Sequence, residues 1–463
     1  MAVEKGVELL HLLQKYDVPG PRYTSYPTVP AWTSEVGPAD FARSLQTLPS
    51  GERLSLYAHL PFCENLCHFC GCMQVITKNH DRSREYVDVL VREIERIANL
   101  LPAHAREVSQ VHFGGGTPNF LRPEELTEIM GQFRRHFRIL PDAEIAIEMH
   151  PKTNTSAFCK NLATLGFNRI SLGVQDFDPH VQQLINRNQG YVETKAMLDE
   201  LRALGFQHFN FDLIYGLPGQ TLAHFEKTLE LTLGLRPNRL GVYSYAHVPW
   251  VRPVQRAFKD EDLPSPEQKL QLFERAYQFF TAAGYELIGM DHFALRDDDL
   301  SRALATHTIH RNFMGYSTRA DAHQIGFGVS SISYVNGNYF QNKKELPAYS
   351  QTVQGGDLPS FRGYLLNRDD HLRRELITQI MCAEPVDFKS FGGKWGVVFQ
   401  DYFREEVDQL GRFAEDGLVT ITAAGFQPKG LGRLFLRNMA MLFDRYLEPI
   451  RKNAHNPVFS RTV

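Results

Sequence analysis

Three cysteines close together in the sequence have the residue type and spacing of a metal-cluster loop. Cys63, Cys67 and Cys70 are separated by three and two residues, and thiolates are the soft ligands that iron–sulfur clusters use. A cubane cluster has four irons, so three local cysteines leave one iron free for an outside ligand. The amine and carboxylate of an amino acid can chelate that iron. The spacing therefore predicts a 4Fe-4S cluster with one open coordination position.

Two other metal sites are compatible with the same loop. A zinc site needs a fourth ligand, and Cys72, His59 or His68 lies near enough in the sequence to supply it. A closed electron-transfer cluster would use Cys72 as its fourth ligand. Zinc sites usually join two short groups of ligands, and no second group occurs in the sequence. The open cluster is therefore the favoured interpretation.

The composition is that of an ordinary globular protein. Of the 463 residues, 43% are hydrophobic and 22% are charged, and the formal net charge is −3. A chain of this length can form a large core and more than one domain, and its near balance of charge does not indicate nucleic-acid binding. Six cysteines, four of them between positions 63 and 72, are typical of a metal site in a reducing compartment and not of a disulfide framework.

The sequence contains no segment that is predicted to enter a membrane. The first fifteen residues combine acids with a short apolar run and lack a small-residue cleavage site, unlike a signal peptide. No stretch is long and apolar enough for a membrane span. These features predict a cytoplasmic protein.

Strands and helices alternate through the region that must position the cysteine loop. An N-terminal arm, residues 1–50, comes first and combines a helix at 4–13 with an extended segment at 19–27. Six strand–helix units follow, and their strands are predicted at 55–61, 108–113, 144–149, 169–177, 209–215 and 240–246. Six such units indicate an α/β fold, a partial (β/α)6 TIM-like barrel over residues 51–361 with additional strands at 285–293 and 326–334.

The chain beyond residue 361 is predicted to be mainly helical. Helices at 370–382, 399–416 and 432–447, with a hairpin strand at 417–422, have the order of a winged-helix-like domain over residues 362–463. Few basic residues cluster there, so a packing or substrate-covering role is favoured over DNA binding. Within the barrel, the clearest amphipathic helix is predicted at 84–101, with Ser83 as its N-cap.

Unusual residues occur at the C-terminal ends of the predicted strands, where barrel enzymes build their sites. The cysteine loop follows the first strand, and the glycine-rich segment 114–118 follows the second. Glu148 lies in the third strand, Gln175 in the fourth and Asp212 in the fifth. Acids inside apolar strands need partners, which are either structural groups or the ribose hydroxyls and ammonium of a ligand.

An arginine near this rim and two cysteines in helices each have a functional and a structural interpretation. Arg187 is near the rim in the chain order, although a lone arginine on a helix is more often a solvated ion-pair partner. Cys159 and Cys382 lie in apolar helical contexts and are predicted to be buried packing residues.

These motifs together closely resemble those of the oxygen-independent coproporphyrinogen III oxidases, a family of radical S-adenosylmethionine enzymes. The resemblance covers almost the whole chain. It is carried by the cysteine loop, extended to Cys72, and by the segments 20–27, 114–118, 173–177, 212–218, 245–247, 289–293 and 310–313. The chain departs from the family at His68, where Tyr is common, and at His150, where Asp can occur.

The resemblance implies a partial barrel with a C-terminal helical domain, a 4Fe-4S cluster on Cys63, Cys67 and Cys70, and two S-adenosylmethionine molecules. The positions that match contacts to the cluster-bound molecule are Tyr57, Phe69, Gly115 and Glu148. The positions that match contacts to the second molecule are Gly116, Thr117, Gln175, Arg187, Asp212, Ala246 and Ile332. Cys72 is implied to lie near the site without binding the cluster.

The reaction implied by the resemblance is the anaerobic oxidative decarboxylation of two propionates of coproporphyrinogen III to vinyl groups, which gives protoporphyrinogen IX in haem biosynthesis. Arg22 and the segment 310–312 are candidate propionate partners on residue type alone. The expected partners are this substrate and an electron donor such as flavodoxin or ferredoxin, with a monomeric chain and no nucleic acid. The alternatives are a related haem-binding chaperone, which would generally lack Cys72, and a non-catalytic iron–sulfur protein.

Overall fold

A twelve-stranded sheet forms the centre of the protein in a computed structural model that describes residues 2–319, 322–454 and 458–462. The strands are β1 (Arg53–Leu60), β2 (Phe62–Cys63), β3 (Val75–Ile76), β4 (Glu107–Gly115), β5 (Arg138–Met149), β6 (Arg169–Gln175), β7 (His208–Tyr215), β8 (Arg239–Ser244), β9 (Tyr285–Gly289), β10 (His292–Leu295), β11 (His310–Asn312), β12 (Gly315–Ser317), β13 (Ala322–Phe327), β14 (Ile332–Val335), β15 (Asn338–Asn342), β16 (Ser360–Leu365), β17 (Val386–Asp387), β18 (Val419–Ile421) and β19 (Gly425–Pro428).

Helices cover the sheet and build the C-terminal region. They are α1 (Ala2–Tyr16), α2 (Pro38–Gln46), α3 (Asp81–Leu100), α4 (Pro123–His136), α5 (Ser156–Thr164), α6 (Pro179–Leu184), α7 (Tyr191–Ala203), α8 (Leu222–Leu235), α9 (Pro266–Ala282), α10 (Asp299–Ala305), α11 (Leu346–Gln354), α12 (Arg368–Met381), α13 (Phe388–Trp395), α14 (Phe399–Tyr402), α15 (Arg404–Glu415), α16 (Leu436–Leu442) and α17 (Leu447–Asn453). No helix in the described part of the chain combines the length and apolar character that crossing a membrane requires.

The strand order of the central sheet is β16-β15-β14-β13-β1-β4-β5-β6-β7-β8-β10-β9. The six predicted strands, β1 and β4 to β8, are adjacent and parallel, which confirms the partial barrel. The sheet stays open, because its two outermost strands, β16 and β9, are not paired to each other. Helices cover the sheet. The apolar face of α3, which includes Val87, Leu90, Ile94 and Ile97, is buried.

The sequence did not predict how the additional strands pair. The segment at 326–334 was expected to be one strand, but it contains the end of β13 and most of β14, which pair antiparallel across a tight turn. β13 also pairs in parallel with β1, so a seventh parallel strand extends the barrel. The segment at 285–293 is likewise a hairpin of β9 and β10, and β10 pairs antiparallel with β8.

Three helix predictions were wrong in detail. The helix expected at 399–416 is divided into α14 and α15 at Phe403. Helix α3 begins at Asp81 after His80, so Ser83 lies inside the first turn, where its Oγ donates to the Glu125 carboxylate at 2.9 Å and is not the N-cap. The helix expected at 432–447 is broken between α16 and α17. In the connection between the two helices, the Asp444 carboxylate accepts the N–H of Tyr446 at 2.9 Å and the hydroxyl of Tyr23 at 3.0 Å.

The N-terminal arm joins the barrel to the C-terminal region. Arg22 makes an ion pair with Asp291, at the turn after β9, with an Nη2–Oδ2 distance of 2.7 Å. The buried Arg437 donates from Nε to the carbonyl of Pro21 at 3.1 Å. Because these contacts link positions hundreds of residues apart, the extended segment predicted at 19–27 lies across the molecule and does not project into solvent.

A buried ionic network closes the N-terminal end of the barrel. Arg169 Nε donates to Glu144 Oε2 at 2.8 Å, Gln110 Nε2 donates to Glu144 Oε1 at 2.9 Å, and Arg239 Nη1 lies 3.8 Å from Glu144 Oε2. Burial alone would raise the pKa of Glu144, but the two arginines outweigh it and hold the pKa at about 2. Glu144 is therefore ionised at neutral pH and ties β4, β5, β6 and β8 together.

Replacement of Glu144 by Gln is expected to destabilise the fold by about 3 to 5 kcal/mol at pH 7, because it leaves buried arginines without their charge partner. A folded pKa below the unfolded value gives stability that is present above the unfolded pKa and is lost as the pH falls through the folded pKa. The difference between wild type and variant should therefore shrink as the pH falls from 5 towards 3. Urea unfolding midpoints measure both effects.

A matched control is Glu107→Gln, which breaks an exposed ion pair with Arg138 and should cost less than about 1 kcal/mol. Equal midpoints for Glu144→Gln and Glu107→Gln at pH 7 would show that the buried network contributes no special stability.

Candidate functional site

The cysteine loop runs from the end of β2 along one edge of the barrel. Cys63 is buried, Cys67 and Cys70 are half-buried, and Cys72 is exposed. All four line a cavity of about 190 Å³. The loop is held in place partly by Asn186, whose Nδ2 donates to the carbonyl of Leu66 at 2.9 Å. The structure therefore brings the three predicted cluster ligands to one cavity.

Hydrogen-bond donors surround the cysteine sulfurs. The hydroxyl of Thr117 donates to Cys63 Sγ at 3.3 Å, Arg187 Nη1 donates to Cys67 Sγ at 3.7 Å, and the N–H of Cys72 donates to Cys70 Sγ at 3.4 Å. Such donors stabilise sulfur that carries negative charge. The loop is thus arranged for thiolates, which are the form that binds metal.

The donor set fits a cluster better than a single metal ion. Burial raises the pKa of Cys63 to about 11 and also raises that of Cys67, so both thiols need a bound cation to ionise at neutral pH. Across the described residues, no group of three or more His, Cys, Asp or Glu side chains could hold one metal ion. Irons bridged by sulfide accept cysteines that are further apart than the ligands of one ion.

The histidines considered as zinc ligands already have other partners. His59 Nε2 lies 3.1 Å from the carbonyl of Met73, and its Nδ1 lies 3.1 Å from the hydroxyl of Tyr57. His68 Nδ1 lies 3.0 Å from the carbonyl of Leu184. Both ring nitrogens of His59 are therefore engaged, which argues against His59 as a zinc ligand.

The glycine segment after β4 lets a carboxylate approach the backbone. A Cβ on Gly114 would lie 2.7 Å from Glu148 Oε1, and Gly115, at φ 116°, has a backbone conformation that favours glycine. The N–H of Gly115 donates to Glu148 Oε2 at 3.1 Å. Any larger residue at position 114 would displace Glu148 from this backbone donor.

Glu148 and Asp212 interact electrostatically inside the barrel. Burial alone would raise the pKa of Glu148, but His112 and the N–H of Gly115 outweigh it and hold the pKa below its ordinary value. Burial raises the pKa of Asp212 to about 7, and the charge of Glu148 adds to that rise. Two acids on β5 and β7 thus differ in ionisation near neutral pH, and a cationic ligand between them would favour the ionised form of both.

Gln175 occupies a strained position at the end of β6. The register between β6 and β7 shifts between Gly173 and Gln175, and Gln175 has φ 67°, which is uncommon for a residue with a Cβ. Its side chain is 8% exposed, and its Oε1 has no hydrogen-bond partner. A buried acceptor without a partner in a strained segment is typical of a ligand site.

Arg187 is buried at the site and is not the solvated surface arginine of the alternative interpretation. Its Nε donates to Gln189 Oε1 at 3.1 Å, and its Nη2 donates to the carbonyl of Gly173. The guanidinium lies 6.0 Å from the ring centroid of Phe69. Arg187 therefore connects the cysteine loop with the end of β6.

A second cavity, of about 380 Å³, occupies the barrel interior and shares Glu148, Ser171 and Asp212 with the cysteine cavity. The predicted ligand residues divide between the two. The cysteine cavity is lined by Phe69, Gly115, Gly116, Thr117, Glu148, Gln175, Arg187 and Asp212. Tyr57 and Ile332 line the barrel cavity.

Ala246 lines neither of these two cavities, but Gln255 links it to the cysteine loop. Its carbonyl accepts from Gln255 Nε2 at 3.2 Å, and the same nitrogen lies 3.4 Å from the carbonyl of Phe69. Cys159 and Cys382 are buried away from the loop, as the sequence predicted.

Sequence reasoning missed a polar cluster beside Asp212. The hydroxyl of Tyr243 hydrogen-bonds to Asp212 and lies 3.3 Å from His292 Nε2. His292 Nδ1 lies 2.8 Å from Asp291 Oδ1, and Asp291 in turn pairs with Arg22. Arg22 and His292 both belong to motifs of the sequence, but nothing local in the sequence shows that they meet.

Two family models match the chain. The model of the radical SAM superfamily matches residues 57–232, which include the cysteine loop and the strands β4 to β7. The model of the HemN C-terminal domain matches residues 366–435. The two matches cover the cysteine cavity and most of the region beyond β16.

Relatives of known name are similar over nearly the full length. The chain is 43% identical over 454 residues to the oxygen-independent coproporphyrinogen III oxidase of Escherichia coli (strain K12), with 98% of each chain covered. It is 39% identical over 453 residues to that of Helicobacter pylori (strain J99), with 97% of this chain and 98% of the relative covered. The solved structure of coproporphyrinogen III oxidase (HemN) from Escherichia coli, a radical SAM enzyme, superposes with a TM-score of 0.89 at 42% identity and covers 94% of this chain and 98% of its own.

Proposed function

Because this chain belongs to the family of oxygen-independent coproporphyrinogen III oxidases, we propose that it converts two propionates of coproporphyrinogen III to vinyl groups without oxygen. The product is protoporphyrinogen IX, in porphyrin and haem biosynthesis. The observation that carries this proposal is one continuous site, in which the cysteine cavity and the barrel cavity share Glu148, Ser171 and Asp212.

The family uses a 4Fe-4S cluster and S-adenosylmethionine, and we assign the cluster to Cys63, Cys67 and Cys70. When bound, these groups supply the one-electron chemistry that removes a hydrogen atom from the substrate. Thr117 and Arg187 stabilise the cysteine sulfurs through the hydrogen bonds described above. The protein is also proposed to position the substrate and to keep water and oxygen away from reactive species.

The first S-adenosylmethionine is assigned to the rim around Tyr57, Phe69, Gly115 and Glu148. Glu148 supplies a carboxylate for an ammonium or for ribose hydroxyls. Gly114 leaves room for the Glu148 carboxylate, and Gly116 leaves room for the backbone of Pro61 and Phe62, so both glycines keep the rim of the cavity in place. The ring of Phe69 lies next to Arg187 and flanks the cavity on the side of the cysteine loop.

A second S-adenosylmethionine is assigned to Gly116, Thr117, Gln175, Arg187, Asp212, Ala246 and Ile332. The unpartnered Oε1 of Gln175 and the raised pKa of Asp212 support it, since a zwitterionic ligand with hydroxyls satisfies both. Ile332 lies on the far wall of the barrel cavity, so this ligand extends from the cysteine cavity towards the interior.

Replacement of Asp212 by Asn should lower the number of bound S-adenosylmethionine molecules from two towards one and slow vinyl formation, because the variant lacks a carboxylate for the second ligand. Cluster content should stay unchanged, since no thiolate is altered. Equilibrium binding, iron content and turnover on one preparation measure all three. Asp199→Asn, at an exposed position on α7, is the control. Saturation of the wild type with a single molecule would show that the second site does not exist.

We further propose a division into the arm at 1–50, the barrel at 51–361 and the C-terminal domain at 362–463. The Arg22–Asp291 ion pair and the contacts of Arg437 with the arm support a role of the arm and C-terminal domain in covering the barrel.

An external electron donor, such as flavodoxin or ferredoxin, is proposed to reduce the cluster. The cysteine loop reaches the surface at Cys72, which is exposed, so a small carrier can approach it closely. The protein is proposed to act as a cytoplasmic monomer.

Alanine at Cys63, Cys67 or Cys70 is expected to abolish cluster assembly, because a cubane held by two cysteines has lost a third of its protein ligands. Cys72→Ala should retain the cluster. Iron and acid-labile sulfide per chain, measured after anaerobic reconstitution, distinguish the two outcomes. A full cluster in Cys67→Ala, or its loss in Cys72→Ala, would show that the ligands are wrongly assigned.

The reconstituted wild type should form protoporphyrinogen IX from coproporphyrinogen III in an anaerobic assay with S-adenosylmethionine and a reductant. Chromatography of the oxidised porphyrins measures the product. Formation of 5′-deoxyadenosine without any vinyl product would contradict the substrate assignment. Tight haem binding with no turnover would instead favour the haem-binding chaperone.

A further inference from the structure

A third cavity opens beside the barrel cavity and has no role in the function proposed so far. This outer cavity, of about 460 Å³, lies between the N-terminal arm at Thr24, the β11–β12 hairpin at His310, the sheet at Tyr334 and the helix α12 at Arg374. Phe313 and Gln324 line both the outer cavity and the barrel cavity. The two cavities therefore adjoin at these two side chains.

Arg374 carries the uncompensated charge of the outer cavity. Its Nε donates to the hydroxyl of Tyr339 at 2.9 Å, and its guanidinium lies 4.0 Å from the ring centroid of Tyr334. Among the described residues, no carboxylate lies within ion-pair distance of Arg374, whereas its neighbour Arg373 pairs with Asp369. A guanidinium held by Nε and by a stacked ring has its terminal nitrogens available for a carboxylate.

The other charged groups of the outer cavity already have partners. Lys394 Nζ lies 2.7 Å from Glu375 Oε2, and Glu52 Oε2 lies 3.6 Å from His323 Nε2. Arg374 is thus the group in this cavity that most needs an anion.

The side-chain oxygen of Gln324, at the junction of the two cavities, accepts no hydrogen bond. Its side chain is 3% exposed, and its Nε2 donates to the carbonyl of Ile332 at 3.2 Å, but its Oε1 has no partner. A buried acceptor left in this way is costly unless a ligand or water supplies a donor. The pyrrole N–H groups of a tetrapyrrole are donors of the required kind.

Neither arginine that the sequence suggested as a propionate partner is available in the same way. Arg22 is committed to Asp291. Arg311 is buried with its guanidinium 4.7 Å from the ring centroid of Tyr316, and it does not line the barrel or the outer cavity.

We propose that the outer cavity anchors the part of the substrate that does not react, with Arg374 binding a retained propionate and Gln324 accepting a pyrrole N–H. The proposal rests on the function proposed above. Coproporphyrinogen III carries four propionates, and the reaction consumes two, so two carboxylates stay charged and need partners throughout. Binding them in the outer cavity, away from the cysteine loop, leaves the barrel cavity for a reacting propionate.

Replacement of Arg374 by Gln tests this assignment. The variant should raise the KM for coproporphyrinogen III by about tenfold or more, because one charge-assisted pair is lost, while kcat changes much less. Its affinity for coproporphyrin III, the fluorescent oxidised form of the substrate, should fall by a similar factor in anaerobic titrations of the reconstituted protein. Arg374→Lys, which retains the charge without the bidentate geometry, should recover part of both losses.

Two further variants separate substrate binding from general damage. Arg404→Gln removes an exposed arginine of the same region, 71% accessible and paired with Asp401, and should leave KM and porphyrin affinity unchanged. Gln324→Leu should weaken porphyrin binding without lowering iron content. Iron content and S-adenosylmethionine binding equal to wild type in Arg374→Gln confirm that the cofactor site is intact.

Unchanged KM and porphyrin affinity in Arg374→Gln would overturn the inference, as would a fall in kcat with no change in KM. A loss of iron in Arg374→Gln that Arg374→Lys fails to restore would also overturn it, since Arg374 would then be structural. These results differ from a failure of the proposed function, in which the wild type itself makes no protoporphyrinogen IX.

Discussion

The burial of ionisable side chains at one edge of the barrel is the constraint on which the rest of the structure depends. Three thiols, Glu148 and Asp212 meet at the same edge of the sheet, and burial opposes the ionisation of nearly all of them. Burial raises the pKa of Cys63 and Asp212. Hydrogen bonding with Cys72 lowers the pKa of Cys70, and His112 and the N–H of Gly115 lower that of Glu148. The buried acids and thiols of this site need nearby positive charge in order to ionise, and cationic cofactors supply it.

The fold secures this site by fixing both ends of the barrel. At the N-terminal ends of the strands, Glu144 and its arginines form a buried network that locks the strand spacing. At the other end, the arm crosses the molecule and is held by the Arg22–Asp291 ion pair. Asp291 also contacts His292, which connects through Tyr243 to Asp212. The same residues that hold the arm therefore also border the cofactor site.

Local patterns in the sequence were sufficient for the six parallel strands, the cysteine loop and the rim residues on β5, β6 and β7. They were insufficient wherever a distant segment decided the structure. β13 pairs with β1 across more than 260 positions, and the hydroxyl of the distant Tyr23 donates to Asp444 in the connection between α16 and α17. Arg374 belongs to the same class, because an arginine on a helix has no local signal that distinguishes a solvated side chain from one lining a cavity.

The most direct test of this account is the coordination of the open iron. The account predicts that S-adenosylmethionine changes the electron paramagnetic resonance spectrum of the reduced cluster in the anaerobically reconstituted protein, because the amine and carboxylate of the cofactor bind the iron that no cysteine holds. The same change should occur in Cys72→Ala, since Cys72 is not a ligand. A spectrum that is identical with and without S-adenosylmethionine would contradict the account, because it would show a cluster whose four irons are all closed to the cofactor.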